Sequence, residues 1–247
     1  MGMKRIYCDI SATTPLDPQI SEFLIDLNKH IYGNPSSIHR EGQAAKAVIE
    51  KSRRQLANAL SSNPEEIIFT SSGSESNNMV LKGVLNPGDH FITSSYEHPA
   101  ILKVLPFLES KNISTTIVNP DKNGLILPSD IEENINANTR LISIMWVNNE
   151  LGTINPISEI GSIARNRNIL FHSDAVQALG KIYINVDETP VDFLSMSAHK
   201  LYGPKGIGAL YKCRGSKLEP LIHGGGQESN LRASTENIGG IAGFGMA

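Results

Sequence analysis

Leu141-Ile142-Ser143-Ile144-Met145-Trp146-Val147 is a nearly unbroken apolar run, followed directly by Asn148-Asn149-Glu150. A run of this kind marks a strand covered on both faces, as an inner strand of a parallel sheet is. The sequence on either side repeats the theme. Downstream lie a helical pattern from Ile157 to Asn166, a strand at Ile169 to Phe171 and another at Val191 to Met196. Upstream, Ile67-Ile68-Phe69 leads through Thr70-Ser71-Ser72-Gly73-Ser74 into a helix-like stretch reaching Leu85. Asn86-Pro87-Gly88-Asp89 is a turn, Phe91-Ile92-Thr93 a strand, Pro99 to Glu109 a helix, and Ile113 to Val118 alternates as a strand. Ser129 and Glu132 have the spacing of a capping box, which predicts a short helix starting there. This alternation predicts an α/β domain with an open, mainly parallel sheet flanked by helices. Gly206 to Lys212 reads as one more strand. The link before it is too short for a crossover helix, which leaves an antiparallel course open.

The first 60 residues differ, with helices predicted at Pro18 to His30 and Glu41 to Leu60 around the loop Tyr32-Gly33-Asn34-Pro35-Ser36-Ser37. Asn237 to Ala247 is apolar and rich in Gly and Ala, and reads as an element cut partway through. The 247 residues are 40% hydrophobic and 19% charged with a net charge of -3, an ordinary globular composition. The mildly acidic balance gives no reason to expect nucleic acid or an anionic membrane as partner. No apolar run approaches a membrane span, and Met1 to Thr14 has no signal-peptide core, so the cytoplasm is the expected compartment. Cys8 and Cys213 are the two cysteines; they lack metal-ligand spacing and read as reduced structural thiols. No metal site is expected.

In open α/β sheets, ligands bind beyond the carboxyl ends of the strands. Five predicted strand ends carry polar or ionisable groups: Ser71 to Ser74, Glu97-His98, Asn148 to Glu150, His172 to Gln177, and Ser197 to Lys200. Taken alone, each has a bland explanation. Ser-Gly-Ser is more simply a helix cap than a phosphate cradle, Asp174 is as readily a strand cap as a cation's partner, and Lys200 is a solvated loop lysine. His98 alone is a helix-start residue. Together they supply a phosphate site, a carboxylate for a ring nitrogen, a ring to stack on a flat cofactor and an amine able to form an imine. Those are the parts that pyridoxal 5'-phosphate (PLP) requires.

The segments Ala12-Thr13-Thr14-Pro15, Gly33-Asn34-Pro35-Ser36-Ser37 with His39, Glu97-His98 and Asn148-Asn149-Glu150-x-Gly152 resemble the cysteine desulfurases. So do Ser197-x-His199-Lys200-x-Tyr202-Gly203-Pro204-Lys205-Gly206 and His223-Gly224-Gly225-Gly226. The likeness is to the nitrogenase-associated and iron–sulfur-cluster-assembly group of the class V aminotransferases, and it runs the length of the chain in order. It implies the aspartate aminotransferase-like large domain with a seven-stranded sheet, residues 1–15 lining the site and 16–247 binding the cofactor. It also implies a homodimer. By this resemblance Lys200 is the Schiff-base lysine, Asp174 pairs with the pyridinium nitrogen, and Gln177 reaches the cofactor's phenolic oxygen. His98 stacks on the ring and assists proton transfer, while Gly73, Ser74, Ser197 and His199 hold the phosphate. Thr235 contacts the phosphate in the other subunit; Asn149 lies near cofactor and substrate carboxylate, and Asn34 helps to bind substrate. The reaction implied is L-cysteine to L-alanine, with sulfur passed as a persulfide to an acceptor such as a cluster scaffold.

The phosphate loop departs from the family's frequent Ala-Thr at Gly73-Ser74. The family's nucleophilic cysteine and carboxylate-binding arginine belong to a downstream loop and small domain that these residues do not include, so the resemblance implies a truncated and impaired desulfurase. A non-catalytic PLP-binding dimer, a selenocysteine lyase and a small-amino-acid aminotransferase are the alternatives.

Overall fold

A computed structural model of the chain describes residues 6–247. The expected N-terminal segment 1–15 is therefore seen from Ile6 onward, and residues 1–5 lie outside the described part. Seven strands form one sheet in the order β1-β7-β6-β5-β4-β2-β3. They are β1 (Ile67–Thr70), β2 (His90–Ser94), β3 (Ser114–Val118), β4 (Thr139–Ser143), β5 (Leu170–Asp174), β6 (Phe193–Ser197) and β7 (Gly208–Lys212). The strand β7 runs antiparallel to both its neighbours, β1 and β6, and every other pairing is parallel. The mainly parallel seven-stranded sheet is thus as expected, and the short link before β7 does produce the antiparallel strand.

Helices cover both faces: α1 (Pro18–His30), α2 (Arg40–Leu60), α3 (Gly73–Val84), α4 (Pro99–Leu102), α5 (Leu105–Ser110), α6 (Pro128–Glu133), α7 (Ile157–Asn166) and α8 (Ile238–Met246). Strand residues alternate between two apolar layers. Phe91, Leu141, Phe193 and Leu210 pack with α3, α4 and α5 on one face. Ile92, Ile142, Leu194 and Tyr211 pack with α2, α7 and α8 on the other.

Three local expectations need correction. The helix read from Pro99 to Glu109 is two short helices, because Pro106 has no N–H to donate and its ring crowds the carbonyl four residues back. The capping box at Ser129 is not formed. Pro128, whose φ suits a first helical position, starts α6 after extended Leu127, so Ser129 lies inside the helix with its hydroxyl on Asp130. The run that was read as a strand from Leu141 to Val147 leaves the regular ladder after Ser143. Ile144 and Trp146 still donate to His172 O and Asp174 O on β5, and Val147 turns aside to bridge Ile154. The Gly-rich end is a helix, α8, capped by the Asn237 side chain. Its glycines allow close packing: a Cβ on Gly243 would lie 2.4 Å from Pro204 Cγ, and one on Gly245 would lie 2.7 Å from Ser52 Cβ of α2.

Candidate active site

A cavity of about 440 Å³ opens beyond the carboxyl ends of β1, β2, β4, β5 and β6. One wall is the start of α3. Ser72 Oγ accepts from Glu75 N at 3.1 Å, capping the helix. The N–H groups of Gly73 and Ser74 find no protein acceptor among the described residues, and with the positive end of the helix dipole they suit an anion. The departure at Gly73 has a local reason. A Cβ there would lie 2.6 Å from Val176 Cγ2, so the pairing with Val176 favours the smallest residue.

The opposite wall is the loop after β6, held by the N-terminal segment. Thr14 N donates to His199 O at 3.0 Å, and Tyr202 N donates to Thr14 Oγ1 at 2.8 Å. Lys200 Nζ donates to Ser11 O, and to Ala12 O at 2.7 Å. Partial burial pulls the Lys200 ammonium below the usual lysine range, against the attraction of Asp174, Asp9 and Glu150. The imidazole of His199 sits 3.1 Å from Thr13 Oγ1; burial, then Lys200 and Lys205, lower its pKa. Lys181 Nζ donates to Gln177 Oε1 at 2.5 Å, which turns the Gln177 amide so that Nε2 donates to Ser11 O at 2.9 Å.

At the floor, Asp174 ends β5 and is buried. Its Oδ2 accepts from Asn77 Nδ2 at 2.7 Å and its Oδ1 from Val176 N at 3.0 Å. Desolvation pushes this carboxyl upward; the Asn77 and Val176 hydrogen bonds, then His98 and Lys200, act the other way. Asn77 Oδ1 is buried without a partner among the described residues. His98 caps α4, with Nδ1 accepting from Ala100 N at 3.0 Å, which leaves the ring proton on Nε2. Asn149 lies on the rim and donates to Glu150 Oε1 at 2.6 Å.

Of the sequence-predicted residues, Gly73, Ser74, His98, Asn149, Asp174, Gln177, Ser197, His199 and Lys200 line this one cavity. Asn34 and Thr235 do not. Both are exposed, and Asn34 Oδ1 accepts from Ser36 N within its own loop. Sequence reasoning missed Asn77, which reaches Asp174 from the second turn of α3. Its only sequence signal is its position one turn after Gly73, on the helix face turned to the sheet. Of the two thiols, Cys8 is exposed and adjoins Asp9 on the cavity wall, while Cys213 follows antiparallel β7, beyond the amino ends of the parallel strands and opposite the cavity.

The family model described as aminotransferase class-V matches residues 6–247. The chain belongs to that family. Among curated relatives, "Cysteine desulfurase IscS" of Dictyoglomus turgidum is 50% identical over 99% of this chain and 64% of its own length. The IscS proteins of Clostridium botulinum are 45% identical, with 62% of their length covered. This class V chain thus spans somewhat less than two thirds of these relatives. Among solved structures, one titled "NIFS-LIKE PROTEIN" superposes with a TM-score of 0.95 at 40% identity, covering 98% of this chain and 68% of that one. One titled "SspA in complex with cysteine" superposes at 0.93 with 44% identity, covering 97% and 71%. These neighbours have the same class V fold.

Proposed function

We propose that these residues are the cofactor-binding part of a PLP-dependent cysteine desulfurase, with 16–247 as the large domain and 1–15 as a segment over its site. The observation that carries the reading is the convergence of Lys200, Asp174, His98 and the Gly73-Ser74 helix start on one cavity. The residues fit the cofactor. Unpaired N–H groups at the start of α3, with Ser74, Ser197 and His199, would hold a phosphate. The buried Asp174 carboxylate wants a cation, and a pyridinium N–H supplies one. Gln177 would meet a phenolic oxygen, His98 would stack on the ring, and Lys200 would carry the cofactor as an imine. When bound, PLP supplies a ring that accepts electrons from the substrate's α-carbon.

The chain's own groups then divide the work. Asp174, fixed by Asn77 and Val176 N–H, would keep a positive charge on the ring nitrogen. Lys200, its pKa lowered by desolvation, is a base nearer neutrality than a free lysine, and it can move a proton at the substrate carbon. His98, with its proton on Nε2, is a second proton carrier beside it. Cysteine as substrate rests on the relatives called cysteine desulfurases and the neighbour titled as in complex with cysteine. Asn149 on the rim, and Asn34 from a flanking loop, would meet its carboxylate. The homodimer, with Thr235 reaching the partner's phosphate, and transfer of sulfur to an acceptor protein belong to the same reading.

L-Cysteine added to the PLP-loaded protein should perturb its visible spectrum at millimolar concentration. The chain 1–247 should release little or no sulfide, because a thiolate must attack sulfur and hold the persulfide, and Cys213 lies at the opposite ends of the strands from the cavity. Sulfide and alanine are to be measured beside Cys8→Ala. No spectral response to cysteine would contradict the desulfurase reading. Robust turnover lost in Cys8→Ala would make Cys8 the nucleophile, against expectation.

A further inference from the structure

We propose that Glu97 is a positioning residue whose uncharged carboxylic acid clasps the exits of β2 and β4 and holds His98 and Met145 at the cavity.

The ladder between β2 and β4 ends at Thr93 and Ser143. Beyond it the two chains part, and the cavity opens between their exits. Glu97 fills the place of the missing ladder bonds. Its Oε1 accepts from Ser94 Oγ at 2.6 Å, on its own strand's exit, and from Met145 N at 3.0 Å, on the exit of β4. The next amide along, Trp146 N, donates to Asp174 O at 3.0 Å. One carboxyl therefore links the β2 and β4 exits, and the amide beside its Met145 contact carries the β4 exit on to the backbone of Asp174. His98 follows Glu97 directly, and both His98 and Met145 line the cavity. Glu97 itself is 3% exposed and does not line it.

Its second oxygen, Oε2, is buried with no hydrogen-bond partner among the described residues. Half of a carboxylate left unpaired in that place costs far more than a hydroxyl group. Burial pushes the acid up to about 8, with the Asp174 carboxylate adding to the effect and the Ser94 and Met145 bonds opposing it. The charged groups around it are few. Asp174 faces it from β5, with His98 and Lys200 acting on Asp174 from the cavity side. Burial raises the Tyr96 phenol, against its bond with Asn155, and Glu97 and Asp121 add to the rise. Ionisation would strengthen the Ser94 and Met145 bonds, but it would leave an unpartnered charge in the interior near Asp174, competing for the cations that serve it.

The sign follows from linkage. The folded protein holds a proton on Glu97 that the unfolded chain gives up near the ordinary glutamate value. Stability from this group is full below about pH 4.5 and is lost as pH rises through about 8. The role in cofactor binding rests on the PLP reading above; the titration does not, so the two can fail separately. Proteins labelled with 13C at glutamate carboxyls would be titrated by NMR, with the Glu97 signal identified by its loss in Glu97→Gln. Urea midpoints of the PLP-free protein and PLP affinity would be followed from pH 6 to 9.5. The Glu97 signal should titrate well above the other glutamates, and Glu97→Gln should remove the alkaline fall in both the urea midpoint and PLP affinity. Glu97→Ala, which leaves Met145 N–H and Ser94 without an acceptor, should weaken PLP about tenfold or more at every pH. A Glu97 signal titrating with the bulk, or a Glu97→Gln protein with the wild-type alkaline fall, overturns the proposal. If no variant binds PLP while the signal titrates high, the cofactor reading fails and the buried acid stands.

Discussion

At Asp174, burial and hydrogen bonding pull in opposite directions. Desolvation favours a neutral acid, whereas Asn77 Nδ2, Val176 N–H and the nearby cations favour the carboxylate. A cationic ring nitrogen would settle the contest, so the two charges stabilise each other's protonation state. Removing one partner of a buried charge pair costs about 3–5 kcal/mol. Asp174→Ala should therefore weaken PLP binding by roughly two to three orders of magnitude, read by equilibrium dialysis. Unchanged affinity would make Asp174 a strand cap and nothing more. Asp174, Lys200 and His98 were legible in the sequence because they are ionisable groups at the ends of apolar runs, where an open sheet places its ligands. Asn77 was not, since an amide inside a helix carries no signal until the helix is docked on the sheet. Nor does sequence alone reveal that the Glu97 carboxyl turns inward to Met145 rather than outward to water.

The strands contain a buried polar row that periodicity does not show. His172 on β5 lies between Ser143 Oγ on β4, at 2.7 Å from Nδ1, and Ser195 Oγ on β6, at 2.9 Å from Nε2. Both ring nitrogens are paired with hydroxyls in the interior, and burial pulls the imidazole down to about 3. The folded state thus excludes a proton that the unfolded chain accepts near pH 6.5. Stability from this group is present above about pH 6.5 and is lost as pH falls toward 3, by roughly 5 kcal/mol in all. Urea denaturation from pH 7 to 4 should show that loss, and a His172→Asn protein should show a shallower one. An equal slope in the two proteins would place the acid sensitivity elsewhere. At this scale the sequence was most readable where apolar patterning dominates: every strand and all the long helices were foreseen. It failed at α4–α5 and α6, where Pro106 and Pro128 override helical periodicity and cap spacing. It also overran β4, because all of Leu141 to Trp146 is buried although only the first part is in the ladder.

For the molecule as a whole, the exposed apolar side chains bear on assembly. Ile38, 94% exposed, and Tyr32 flank the Asn34 loop; Leu151 and Ile154 follow Asn149, and Tyr202 follows Lys200. Exposed Thr235 and Asn34 take no part in the cavity of a single chain. A second copy covering these side chains would satisfy both observations, and two-fold pairing is the commonest closed assembly. Light scattering should therefore give a dimer, and a monomer that retains PLP would contradict a shared site. The central claim, that the cavity is a PLP site with Lys200 as its anchor, is tested most directly by the cofactor itself. Purified protein supplied with PLP should absorb in the visible range, and after borohydride reduction and digestion the pyridoxyl group should sit on the peptide containing Lys200. Lys200→Ala should leave no reduced adduct. A folded wild-type protein that stays colourless with PLP present, or an adduct on another lysine such as Lys181, would contradict it.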